Sequence, residues 1–125
     1  MHGEPSLKEL IESVSRFISE IAAPQLKDRD AFHARVAVNA LAIAAREIEA
    51  REAAETAEHE RLCALLGTDG PLDALNRKLC DALRAGEMTL ETPGLLAHLK
   101  ATMVDQVAVD QPKYSGYRHA IGDDV

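Results

Sequence analysis

A chain of 125 residues with 46% hydrophobic residues, only 3% aromatics and no Trp must build its core from Leu, Ile, Val and Ala. That length fits one domain rather than two with separate cores. The formal net charge of −7 argues against a general nucleic-acid binder, which needs surplus Lys and Arg to neutralise phosphates, and against docking on an anionic membrane.

No apolar run approaches the roughly 20 residues of a membrane span. The start, MHGEPSLKELIESV, lacks the basic stretch followed by an apolar core that marks a signal peptide. Cys63 and Cys80 lack a tight metal spacing, so reduced thiols in a cytoplasmic protein are expected.

The first helix is predicted from about Ser6 to Ala23. Ser6 and Glu9 have the spacing of a capping box, and Leu7, Leu10, Ile11, Val14, Phe17, Ile18 and Ile21 repeat at helical spacing until Pro24. A second helix opens near Asp30 and runs to about Ala50. The Glu-rich EAREAAETAEHE follows, with a break expected near Glu55–Thr56 and a third helix closing at Gly67. Pro71 and Gly86 bracket the fourth, whose stripe is Leu72, Leu75, Leu79 and Leu83. Thr92 and Pro93 open the fifth, with Leu96, Leu99, Met103 and Val107 expected to face inward and Pro112 ending it. Residues 113–125 show no periodicity and are expected to lie along the bundle through Tyr114 or to fray.

Short connections favour antiparallel neighbours, so the expected fold is all-α. It is an up-and-down bundle of about five helices forming a single domain over 1–112, with 113–125 as a C-terminal tail. The segment at about 30–50 is apolar around most of its circumference, which marks it as the central helix.

That segment, HARVAVNALAIAARE, also carries Arg35, Asn39 and Arg46. At 100° per residue the three fall within about 40° of one another and form one ridge. The ridge has three physical readings. It is a solvated strip with Arg stems lying over apolar surface. It is a set of ion pairs that fix helix register, with Glu12 and Asp105 as partners. Or it is a candidate ligand-binding site that grips a carboxylate or phosphate with two guanidinium forks and an amide.

Glu55, His59 and Cys63 stand at i, i+4 and i+8, a carboxylate, an imidazole and a thiol along one helix face. These are zinc-ligand types, but a single helix supplies only three of them, and no metal is expected. Glu-x-x-His pairs for a di-iron bundle are missing, and none of the seven glycines forms a phosphate loop. There is no Gly-x-Ser-x-Gly elbow, and His33 and His98 read as surface or core-edge residues. No catalytic residues and no cofactor are expected.

FHARVAVNALAIAARE, LNRKLCDALRAGE and PGLLAHLKATMVDQVAVDQPKY, together with the capped first helix, resemble a small bacterial family of unknown function from about Pro5 to Tyr114. Its members are often encoded beside aminoglycoside-phosphotransferase-like kinases and acyl-CoA dehydrogenases. The resemblance implies an accessory or regulatory protein linked to acyl-CoA or hydroxyacyl catabolism, with a kinase-like or acyl-CoA dehydrogenase partner. It brings no established catalytic residues. The leading expectation is a non-catalytic helical protein that binds a partner enzyme or pairs as a homodimer. The alternative is a binder of small anions such as acyl-CoA, acting through Arg35, Asn39 and Arg46.

Overall fold

The computed structural model of the protein describes residues 4–122. The expected all-α class is borne out: five helices occur, and no strand is found among the described residues. They are α1 (Leu7–Phe17), α2 (Asp28–Leu66), α3 (Leu72–Arg84), α4 (Leu95–Asp110) and α5 (Ser115–Ala120). Among the described residues no helix is long and apolar enough to cross a membrane. The chain divides into two compact units, Met1–Ala50 and Arg51–Val125.

In the first unit, α1 opens on the expected capping box. Ser6 Oγ accepts from Glu9 N–H at 3.2 Å, and the Glu9 carboxylate reaches back to the Ser6 N–H. The helical path does not stop at Ala23. It loosens into a π turn over Ile18–Ala22 and tightens into a 3₁₀ turn over Ala23–Gln25 that contains Pro24. The first half of α2 then runs back along α1, and Lys8 Nζ meets Glu49 Oε2 at 2.8 Å. Residues 30–50 are less enclosed than their apolar sequence predicts: Ala34 alone is buried, and Phe32 and Val36 stand about half exposed. Alanines dominate this stretch and remove little area each, so composition overstates how much of it is covered.

The expected break near Glu55–Thr56 does not occur; α2 is continuous through 39 residues. The reason is local. No Gly or Pro lies between Asp28 and Leu66, and the Glu and Arg that make the stretch polar, like the Ala between them, are strong helix formers. Gly67 ends the helix as expected, with φ +68° and its N–H on the Cys63 carbonyl.

The second unit holds the core. Leu62, Leu75, Leu79 and Leu95 are buried together, with Cys63, Leu65, Leu66, Leu72, Met88 and Leu99 packed around them. In α3, Leu75, Leu79 and Ala82 turn inward while Leu83 stays exposed. The inward stripe predicted for α4 is corrected in part: Leu99 packs against the core as expected and Val107 is half-buried. Leu95, His98 and Val109 are buried, whereas Leu96 and Met103 are exposed. Adjacent Leu95 and Leu96 leave the register open by one residue, and a histidine in the core stripe hides the true one. Gly94 precedes α4 at φ +86°, a conformation costly for other residues. Beyond Pro112 the chain turns at Tyr114 into the short α5, where a tail without periodicity was expected. Tyr117 and Ala120 come against Met103, Val104 and Val107 of α4.

Candidate functional site

The apolar residues of α1 and of the π turn that follows it serve two faces. Ile11 and Ile18 are half-buried, and Ile11 lines a groove with Leu41, Ala42 and Ala45 of α2. Leu7, Leu10, Val14 and Phe17 follow the 3-4-3 spacing of a coiled-coil seam, and Ile21 lies beyond α1 in the π turn. All five are between 49% and 62% exposed. The helix is therefore apolar on a second side that α2 does not cover.

The Arg ridge does not converge on one point. Arg46 lines the groove between α1 and α2, about 470 Å³, with Lys8, Glu12, Ser15, Arg16, Ser19 and Glu49. Arg35 and Asn39 are exposed and outside the residues lining it. The Arg35 guanidinium stands over the Phe32 ring at 5.9 Å, a cation–π contact, and His33 meets the same Phe32 edge-on at 5.7 Å. Within the groove the hydrogen bond to Glu49 raises the Lys8 pKa, and the same bond lowers that of Glu49. Lys8, Arg16 and Arg46 thus share the groove with two carboxylates, which offset much of their attraction for an anion.

Part-buried side-chain hydrogen bonds tie α2 to α4 and, separately, α2 to α3. Arg61 donates through Nε to His98 Nδ1 at 2.9 Å and through a terminal nitrogen to Thr102 Oγ1 at 3.1 Å. The bond to Nδ1 leaves the ring proton on Nε2. Burial lowers the His98 pKa, the Arg61 charge lowers it further, and Glu58 partly opposes them. Glu58 in turn accepts from Asn76 Nδ2 at 3.1 Å. His98 is only 3% exposed, so it is a core residue rather than an acid–base group facing substrate. Arg61 carried no signal in the sequence beyond lying one residue from Leu62.

At the end of α2, His59 and Cys63 share a helix face, and the turn after Gly67 brings Asp69 back to them. His59 Nε2 lies 3.1 Å from Asp69 Oδ1, Cys63 Sγ lies 3.5 Å from the same oxygen, and Sγ is 3.7 Å from Nε2. Two of the three residues singled out by spacing are therefore in the cluster, but Glu55 is exposed and not part of it. Asp69 takes its place. The signal for it was Gly67: a helix that ends there must fold the next residues back over its last turn. Burial and the hydrogen bond to Asp69 push the Cys63 thiol up. The Gly70 N–H, at 2.7 Å, leads the causes that hold the Asp69 carboxyl down.

The chain belongs to a family described as a domain of unknown function, DUF6285, whose model matches residues 24–114. No curated protein matches it, and no solved structure does.

Proposed function

We propose that the protein is a non-catalytic accessory protein that works as a homodimer, paired through the α1 seam. The observation that carries this reading is the exposed run Leu7, Leu10, Val14, Phe17 and Ile21. Residues of this size at half exposure show on the order of 90 Å² each, so the seam presents roughly 450 Å² of apolar surface. A stable homodimer interface takes about 800 Å² or more from each partner, about 65% of it apolar. The seam supplies most of that apolar share, and Ser6, Ser13 and Glu20 beside it supply a polar rim. A second copy fits because a two-fold axis brings the same patch to itself, and a 3-4 spacing is matched best by a helix of the same spacing.

The resemblance to genes found beside kinases and acyl-CoA dehydrogenases supports a cytoplasmic, bacterial role, with such an enzyme as the client of the dimer. Light scattering on the purified chain is the test. A mass of twice 13.6 kDa at micromolar concentration is expected, and a monomer throughout that range would overturn the reading.

The second reading is an anion binder, favoured by Lys8, Arg16 and Arg46 sharing one groove. A thermal-shift series with CoA thioesters and sugar phosphates tests it. Stabilisation lost in Arg46→Met supports it, and no stabilisation by any of them retires it.

A further inference from the structure

Three polar atoms crowd His59 Nε2, and one of them, Asp69 Oδ1, already accepts from the Gly70 N–H and the Cys63 thiol. The Gly70 carbonyl lies at 3.0 Å, Asp69 Oδ1 at 3.1 Å and Cys63 Sγ at 3.7 Å. A neutral imidazole satisfies one of these at a time. A cation at the centre of the three side chains would satisfy the nitrogen, the sulfur and the carboxylate together.

The three edges at Nε2 admit zinc, but Cys63 Sγ lies as near to His59 Nδ1, at 3.8 Å, as to Nε2, so holding the ion on Nε2 requires the imidazole to turn toward it. Zinc binds sulfur at about 2.3 Å and nitrogen or carboxylate oxygen at about 2.0–2.1 Å, so a tetrahedral ion sets edges of about 3.5 Å for S···N, 3.5 Å for S···O and 3.3 Å for N···O. The observed edges are 3.7, 3.5 and 3.1 Å. Neutral imidazole, thiolate and carboxylate also carry the two negative charges that balance a divalent ion. An all-oxygen cation such as magnesium has no use for the thiol.

We infer that His59, Cys63 and Asp69 form a zinc site at the junction of α2 and α3, with the fourth position open to solvent. Two features of the backbone prepare it. His59 and Cys63 are one helical turn apart, so both ligands sit on a rigid element. The Gly70 N–H holds the Asp69 carboxylate by its Oδ1 at 2.7 Å, the kind of outer bond that orients a ligand. Bound zinc would pin the turn from Gly67 to Pro71 against the end of α2. Three protein ligands and an open position are also the arrangement in which zinc carries an exchangeable water. This inference is independent of the dimer, since none of its ligands lies on α1.

The full chain is stripped of metal with a chelator and titrated with zinc alone, and bound metal is counted by elemental analysis. Cobalt(II) serves as a spectroscopic stand-in whose sulfur-to-metal absorption reports thiolate ligation. One ion per chain is expected, with a rise of several degrees in melting temperature. Cys63→Ser and Asp69→Asn should each weaken binding at least tenfold, and Cys63→Ser should remove the cobalt–sulfur band. Cys80→Ser, at an exposed thiol of α3, should change neither. Absence of stoichiometric zinc, or binding that survives Cys63→Ser in a folded protein, would overturn the site.

Discussion

Arg61 donates from Nε to Nδ1 of His98 across 2.9 Å, so a guanidinium and a buried imidazole share one hydrogen bond between α2 and α4. The pair makes stability depend on pH. Folded His98 resists protonation because of burial and the Arg61 charge, while in the unfolded chain it titrates near its ordinary 6.5. As pH falls below that value the unfolded state gains a proton that the folded state refuses. The contribution of His98 is therefore complete above about pH 6.5 and lost as pH falls through its lower folded value. Urea unfolding at pH 7.5 and 5.0 should show a steeper loss in the wild type than in His98→Gln. Equal slopes would remove His98 as the cause.

Leu95 and Leu96 test the register of α4. Leu95 is fully buried beside Leu62 and Leu75, and Leu96 is exposed. Leu95→Ala should cost about 2–5 kcal/mol by transfer and cavity formation. Leu96→Ala should stay within about 0.5 kcal/mol, as surface changes do. Comparable costs at the two positions would mean that the helix is rotated from the orientation described.

The continuity of α2 is testable at Thr56. A proline there removes an interior hydrogen bond and clashes with the preceding turn, at about 3 kcal/mol or more. If the chain broke at this point, Thr56→Pro would be nearly neutral in denaturant unfolding. Within an unbroken helix the same change should lower both stability and helical circular dichroism.

Helices announced by caps and periodicity were legible in the sequence. Ser6 with Glu9, Gly67, and Pro71 with Gly86 all mark ends where the structure has them. What escaped was decided by tertiary contact. The polarity of residues 50–61 suggested a break, but polarity describes exposure and not backbone path. His98 is buried with Arg61 as its hydrogen-bond partner, and that partner is 37 residues away. The metal-type cluster was two-thirds legible because His59 and Cys63 are a helical turn apart. Asp69 required knowing how the chain reverses after Gly67. Of Arg35, Asn39 and Arg46, only Arg46 lines the groove against α1.

The pairing of α1 is tested most directly by sedimentation of the wild type beside Val14→Glu, with circular dichroism as the check on folding. Val14 lies mid-seam and about half exposed, so a carboxylate there is tolerated by a single chain and unfavourable between two. The wild type should sediment as a dimer and the variant as a folded monomer, whereas Leu96→Glu, exposed on α4, should remain dimeric. A wild type that stays monomeric, or a Val14→Glu protein that still pairs, would contradict it.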